Sequence, residues 1–266
     1  MTISSLPRKI KRGIPYLRKE VRAIVSDHTP FFIALPRTVH LWRAAPCNAK
    51  CIMCDYGILK GEGYTKISRI VFPNDYIFKA VDQVAELSGR GTLISYMGGE
   101  PTVNPQVVEW VRRASSQGLD FRFTSNGYKI DQKLAAALVD AGMFNIGISL
   151  ESIDPKINEI LRPHPNGTQK TINAIEFMLA EREKQKKFVS VGIKTVLSNL
   201  NLEGFLDIVK RWGKTDGVMC TPQMFERNPN MSQEAKDMMS IKDVSRMERF
   251  VDNLRALKAD GYAVHV

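Results

Sequence analysis

Three of the four cysteines in this chain lie within eight residues, in the segment APCNAKCIMCDYG at 45–57. Cys47, Cys51 and Cys54 follow one another at spacings of four and three positions. The N-terminal residues lack the apolar core of a secretory signal, which predicts a cytoplasmic protein whose thiols stay reduced. A clustered trio also cannot pair off into disulfides. The spacing therefore predicts a metal or cluster site.

Zinc and a four-iron, four-sulfur cluster are the two candidates for this loop. A structural zinc site takes four ligands, usually as two separated pairs. The loop offers a single Cys-x-x-Cys pair, and residues 44–60 contain no histidine. A four-iron cluster normally takes four cysteines, so three leave one iron without a protein ligand. An iron with an open position can bind a small molecule, which favours a chemically active cluster over zinc.

A second segment with chemical potential is YMGGEP, which ends at Pro101. Gly98 and Gly99 allow a backbone to approach a ligand closely, and the carboxylate of Glu100 suits an ammonium group. Taken alone, the segment is better explained as a plain turn between a strand and a helix, where glycine and proline are common.

Strands and helices alternate six times along the chain and must position both segments. Such alternation predicts parallel strands joined by right-handed crossovers. A complete eight-unit barrel needs about 250 residues for the barrel alone. We therefore predict an α/β fold with an open partial (β/α)6 barrel of the TIM type, and keep a doubly wound open sheet as the alternative. The predicted strands cover residues 38–43, 92–97, 120–125, 144–150, 188–197 and 217–222. The predicted helices cover residues 74–87, 105–117, 132–142, 168–185, 202–213 and 243–261.

The two ends of the chain are predicted to flank this core, which spans residues 38–222. Residues 1–37 carry eight basic and two acidic side chains, and thus six of the net +10 charge, so they form a basic N-terminal extension. Residues 223–266 are predicted to form a C-terminal helix and the start of a further strand, YAVHV. The abrupt end suggests either a fragment or a chain without an auxiliary domain.

The cysteine loop and the Gly-Gly-Glu-Pro segment, at two successive strand ends, resemble the radical S-adenosylmethionine (SAM) superfamily. The resemblance covers about residues 38–222 and departs from the family pattern at Met53, where an aromatic residue is usual. It implies that Cys47, Cys51 and Cys54 bind a 4Fe–4S cluster whose open iron chelates SAM. An electron from the cluster would cleave SAM, and the 5′-deoxyadenosyl radical would take a hydrogen atom from the substrate.

The resemblance also implies which other side chains contact SAM. The segment Gly98, Gly99, Glu100 and Pro101 would bind its amino group. Glu151 would contact a ribose hydroxyl, while Arg162 and Lys194 compete for the SAM carboxylate. Ser125, Asn126 and Ser149 would face SAM from the third and fourth strand ends. Turn formation or helix capping is the alternative explanation for these polar residues.

The segments TSNG and SLES look most like the SPASM/twitch group, whose members modify peptides, proteins or small molecules. We favour a peptide or protein substrate. The alternatives are a small molecule such as a sugar, an aminoglycoside or a lipid precursor, and a non-enzymatic iron–sulfur electron-transfer protein. The resemblance implies a reductant such as flavodoxin or ferredoxin. Nucleic acid is disfavoured because the body of the chain is nearly neutral, while the basic arm could contact an anionic membrane surface. Cys220 is expected to be a packing residue.

Overall fold

A computed structural model of the chain describes residues 35–42, 46–55, 73–226 and 230–265, together with Leu17, Glu20 and Val21. Most of the predicted basic extension therefore lies outside the described residues. None of the helices in this part of the chain combines the length and the apolar character that crossing a bilayer requires.

Six parallel strands form one sheet in which every strand pairs with its neighbours in the chain. The strands are β1 Thr38–Trp42, β2 Leu93–Met97, β3 Asp120–Ser125, β4 Asn145–Ser149, β5 Ser190–Val196 and β6 Val218–Gln223. Within the described chain, β1 and β6 are the two edges and do not pair with each other. The sheet is thus an open partial barrel, which confirms the predicted fold class.

Eight α-helices lie in the described ranges, and most of them connect one strand to the next. They are α1 Asn74–Ser88, α2 Val107–Ser116, α3 Gln132–Asp140, α4 Pro155–Leu161, α5 Gly167–Lys184, α6 Gly204–Trp212, α7 Gln233–Met239 and α8 Val244–Ala259. A single 3-10 turn, Pro101–Val103, follows β2. The short helices α4 and α7 were not predicted, because seven residues give too few turns for a periodic apolar pattern.

Local sequence signals explain where several helices begin and end. The carboxylate of Asp131 accepts a hydrogen bond from Leu134 N at 2.7 Å and caps α3. The chain leaves α3 through Gly142, whose φ of 90° favours glycine. A Cβ at that position would lie 2.1 Å from Ser115 Oγ. Only glycine therefore allows α3 to pass this close to α2.

The outer face of the sheet packs against the helices and forms the main core. Helix α2 buries Val107, Trp110, Val111 and Ala114, a stripe at the spacing of an amphipathic helix. The strands contribute large apolar side chains to the same cluster, among them Ile94, Phe121, Phe123, Ile146, Val191 and Ile193. Cys220 is fully buried in this cluster, as expected of a packing residue.

The segment YAVHV was predicted to start a further strand. The chain makes one isolated parallel bridge there, between Cys220 and Val264. Ala263 O accepts from Cys220 N, and Cys220 O accepts from His265 N. The segment lies beside β6, but it is too short to add a seventh strand to the described sheet.

Candidate active site

A cavity of about 750 Å³ opens at the carboxyl ends of the parallel strands, where sites form in folds of this kind. All three clustered cysteines, Cys47, Cys51 and Cys54, line it. Most of the residues predicted to contact SAM line it as well, namely Gly98, Gly99, Glu100, Pro101, Ser125, Asn126, Ser149 and Arg162. The structure thus brings together side chains from four strand ends and from the loop after α4.

Three contacts from different elements hold the cysteine loop. Glu100 N donates to Pro46 O at 3.0 Å, immediately before the first cysteine. The side chain of Asn126 donates to Asn48 Oδ1 at 2.7 Å. On the far side of the loop, Ile52 N donates to the carbonyl of Leu161 at 3.1 Å. The loop is therefore fixed by contacts to residues at the ends of β2, β3 and α4.

The three thiols lie in a largely buried environment. Cys51 is buried, and Cys47 and Cys54 are half-buried. Burial raises the pKa of Cys47 to about 12 and also raises that of Cys51, while the nearby Arg162 guanidinium opposes the rise at Cys51. Since the thiolate and not the thiol ligates a metal, metal binding here must displace the protons of these thiols.

The donor set fits a cluster with one open iron. Among the residues the structure describes, no three His, Cys, Asp or Glu side chains come close enough to share a single metal ion. A four-iron cluster makes a different demand, because each thiolate binds its own iron and the sulfurs need only surround the cluster. Cys47, Cys51 and Cys54 line one cavity and offer soft sulfur ligands, which Fe–S clusters select.

The glycines after β2 have the backbone conformation that their residue type predicts. Gly98 and Gly99 have φ angles of 97° and 54°, in the region that side chains with a Cβ disfavour. They turn the chain so that Glu100 caps the 3-10 turn with its side chain. Because both glycines line the cavity, this turn also exposes bare backbone to any ligand there.

Glu100 is a buried carboxylate without a cationic partner in the described chain. Its Oε1 accepts from Thr102 N at 3.1 Å, from Thr102 Oγ1 at 2.6 Å and from Ser125 Oγ at 2.7 Å. Its Oε2 accepts from Asn126 N at 2.7 Å. Burial nevertheless raises the pKa of Glu100, against the effect of these hydrogen bonds. A ligand ammonium at the cavity would supply the missing positive charge.

Glu151 and Arg162 form a buried ion pair beside the cysteines. Arg162 Nε donates to Glu151 Oε1 at 2.6 Å, and Val196 N donates to Glu151 Oε2 at 2.6 Å. Arg162 Nη1 also lies 3.2 Å from Cys51 Sγ. Burial raises the pKa of Glu151, although Arg162 opposes it. For Arg162, burial would lower the pKa, but the Cys51 and Glu151 charges outweigh it and raise the pKa.

Two residues predicted to contact SAM do not line the cavity. Glu151 is 0% exposed and lies behind Arg162, so its ribose contact stays a prediction. Lys194 lies on β5 in register with Ser149, which does line the cavity. Of the two candidates for the SAM carboxylate, Arg162 is therefore the one at the cavity.

Comparison with protein families identifies the chain. The family model of the Radical SAM superfamily matches residues 46–211, which is more than half of the sequence. The chain belongs to the radical SAM superfamily. Members of this superfamily use a 4Fe–4S cluster and SAM, which confirms both cofactors expected from the sequence.

Curated radical SAM relatives match with low identity and only in part. The probable GTP 3′,8-cyclase of Thermococcus kodakarensis is 25% identical over 177 residues, which cover 65% of this chain and 52% of that protein. The AdoMet-dependent heme synthase of Methanosarcina barkeri is 26% identical over 168 residues, covering 63% and 44% respectively. The chain thus spans about half the length of the curated relatives it matches.

Solved radical SAM structures share the fold of this chain. Streptococcus suis SuiB bound to S-adenosylmethionine superposes with a TM-score of 0.67 at 14% identity, covering 87% of this chain and 50% of SuiB. SuiB bound to its precursor peptide SuiA superposes with a TM-score of 0.65 at 15% identity, covering 98% and 55%. The SPASM assignment made from TSNG and SLES stays a prediction.

Several residues that build this radical SAM site were not predicted from the sequence. Asn48 could have been suspected, because it lies inside the cysteine loop. Tyr128 packs against Cys51, and its ring contacts that of His164 at a tilt of 33°, with 4.0 Å between ring centres. Asn158 accepts from the backbone of Glu151 at 3.0 Å and thereby shapes the end of β4. No local sequence pattern marks Tyr128 or Asn158. Tyr128 contacts residues that are distant in the chain, and Asn158 contacts the backbone seven positions earlier.

Proposed function

We propose that this chain is the catalytic core of a radical SAM enzyme. The observation that carries the proposal is that three thiols and one buried carboxylate line the same cavity at the strand ends, and that this carboxylate has no counter-cation among the described residues. When bound there, the cluster and SAM together supply a 5′-deoxyadenosyl radical that abstracts a hydrogen atom from the substrate. The protein's part is to bind, orient and enclose these groups.

Each part of the cavity has a proposed task. Cys47, Cys51 and Cys54 ligate three irons, and the contacts to β2, β3 and α4 keep the loop in place. Glu100 accepts the SAM ammonium, using the Oε2 oxygen that has one donor among the described residues. Gly98 and Gly99 leave room for SAM against bare backbone. Arg162 donates to the SAM carboxylate from its place beside Cys51.

The remaining predicted site residues either position another side chain or face SAM themselves. Ser125 and Asn126 position Glu100 directly through their hydrogen bonds to its carboxylate. Ser149 lines the cavity from β4 and is proposed to face the nucleoside part of SAM. Glu151 acts on the cavity through Arg162, and Pro101 stiffens the turn that aims Glu100.

For the substrate, we propose a peptide or protein. Support comes from the likeness in fold to SuiB, which has been solved with a precursor peptide. A small molecule is the second candidate, favoured by the relatives whose names describe a GTP cyclase and a heme synthase. A flavodoxin- or ferredoxin-like reductant is the proposed electron donor, in a cytoplasmic setting. We divide the chain into a basic segment at 1–37, a core at 38–222 and a C-terminal part at 223–266. The basic segment is the proposed docking element for an acidic partner or a membrane surface.

The test is anaerobic reconstitution followed by analysis of iron, sulfide and SAM cleavage. We expect about four irons and four sulfides per chain and formation of 5′-deoxyadenosine with dithionite. Replacing Cys47, Cys51 or Cys54 by alanine should abolish both. Cys220→Ala is the matched control, because it removes a thiol from the core and should retain the cluster. If the triple variant still binds iron and sulfide in full, the cluster assignment is wrong.

A further inference from the structure

The inner face of the sheet, opposite the core, carries a polar patch that the SAM site does not use. Strand register places Ser95, Arg122 and Asn145 in one row across β2, β3 and β4. Lys194 on β5 lies four residues beyond Ser190, which pairs with Asn145, so it points to the same face. Arg122 and Lys194 therefore both project into the open barrel.

The side chain of Lys194 lies across two glycines on this face. A Cβ at Gly147 would be 3.4 Å from Lys194 Cγ, and a Cβ at Gly192 would be 3.5 Å from Lys194 Cε. The two glycines thus make room for the aliphatic part of the lysine. The ammonium of Lys194 thereby comes within electrostatic range of Arg122. Burial lowers the pKa of Lys194, and the positive charge of Arg122 lowers it further.

These two cations are not balanced by acidic side chains. In the described parts of the chain, no carboxylate lies within ion-pair distance of Arg122 or Lys194. By contrast, Arg113, Arg162 and Arg246 each form an ion pair with a carboxylate. Arg122 makes a single side-chain hydrogen bond, from Nε to Ser95 Oγ at 2.9 Å, and that acceptor is neutral. Two half-buried like charges within electrostatic range of each other are unfavourable unless an anion joins them.

We propose that Arg122 and Lys194 bind an anionic group of the substrate, a carboxylate or a phosphate, inside the barrel. The inference rests on the proposed function and adds the chemical class of the substrate. A guanidinium offers directed, paired hydrogen bonds to such a group, and an ammonium adds a compact charge. Lys194 pairs in register with Ser149, which lines the SAM cavity. A substrate anchored at the two cations therefore presents its adjoining carbon atoms to that cavity.

The first experiment measures protection of Lys194 in the reconstituted full chain, with inorganic phosphate and acetate as separate probes. The amines are acylated briefly with and without each anion at constant ionic strength, and labelling is quantified by peptide mass spectrometry. Phosphate, acetate or both should slow acylation of Lys194 and leave the exposed Lys170 on α5 unchanged. The responses of the two probes distinguish a phosphate from a carboxylate site. Equal labelling of Lys194 with and without both anions overturns the proposal.

Variants of Arg122 show whether the two cations act together. Arg122→Gln should abolish the protection of Lys194, whereas Arg122→Lys, which keeps the charge, should retain part of it. Unchanged protection in Arg122→Gln contradicts a shared site. The protection experiment on the parent chain needs no variant, so it decides the proposal even if Arg122→Gln fails to fold.

SAM binding separates this site from the alternative in which Lys194 serves the SAM carboxylate. Lys194→Met should leave SAM affinity close to that of the parent. A loss of about tenfold or more would assign Lys194 to SAM and overturn the inference. Formation of 5′-deoxyadenosine by the parent chain is measured in parallel. Anion protection without SAM cleavage would refute the proposed function alone, and SAM cleavage without protection would refute the anion site alone.

Discussion

Glu100→Gln removes one negative charge from the cavity while nearly preserving the shape of the side chain. Glu100 is only 3% exposed, and its two oxygens accept from Thr102, Ser125 and Asn126. A glutamine can keep an oxygen facing Thr102 and Ser125. Its amide NH2 then faces Asn126 N–H, and two donors cannot bond to each other.

The substitution should have two separable costs. Loss of the charged partner of the SAM ammonium should weaken SAM binding by about 1.5–3 kcal/mol, a roughly 10- to 150-fold increase in Kd. The unsatisfied Asn126 N–H should lower the free energy of unfolding by about 1–3 kcal/mol. The cluster should remain, because the backbone N of residue 100 still donates to Pro46 O in the cysteine loop.

Calorimetry of SAM binding to the anaerobically reconstituted chain measures the first cost, and urea unfolding measures the second. Iron and sulfide analysis shows whether the cluster is intact. Glu248→Gln, which removes an exposed carboxylate on α8 that has no ion pair among the described residues, is the control and should match the parent in every assay. Parental SAM affinity in a Glu100→Gln variant with a full cluster would refute the reasoning.

The same carboxylate predicts a pH dependence of SAM binding. Burial raises the pKa of Glu100, so it takes up a proton at a higher pH than an exposed glutamate does. Only the ionised form pairs with an ammonium. SAM affinity should therefore be constant above this raised pKa and fall as the pH decreases through it, and the fall should be absent in Glu100→Gln. An identical acid limb in parent and variant would assign the titration to another group.

Three further predictions follow from the geometry of the site. Arg162→Met leaves the carboxylate of Glu151 buried without its cation. It should therefore lower the free energy of unfolding, measured in urea, by about 3–5 kcal/mol. A decrease below about 1 kcal/mol would show that the ion pair is dispensable for stability. Gly99→Ala forces a side chain into a backbone with φ of 54° and should cost about 1–2 kcal/mol, whereas Gly204→Ala, at a helical position in α6, should cost nothing in the same assay. In the metal-free chain, the raised pKa of Cys47, about 12, should make its alkylation at neutral pH slower than that of the unfolded chain, because a smaller fraction of the thiol is ionised. Equal rates in the folded and unfolded chains would contradict the burial of this thiol.

The sequence by itself determined the repeating strand–helix order and the chemistry of two loops. The apolar residues of the strands indicate a sheet that helices cover on its outer face. The helices α4 and α7 could not be predicted, because seven residues are too few to show a periodic apolar pattern. The Gly98–Gly99 turn was predictable because positive φ angles select glycine whatever the rest of the fold does. The two spacings between the three cysteines were readable for a similar reason, since all three ligands belong to one short segment.

Only the tertiary structure decided which distant side chains meet. Asn126 reaches Asn48 across 78 positions of the chain, and Arg162 reaches Cys51 across 111. Strand register decided that Arg122 and Lys194 share the inner face. Hydrogen bonds to Arg162 and to Val196 N hold the buried Glu151 outside the lining of the cavity. Local sequence encodes turns, caps and periodicity, because these depend on residues a few positions apart. Contacts between strand ends depend on how the sheet coils and which rows align, and no short segment contains that information.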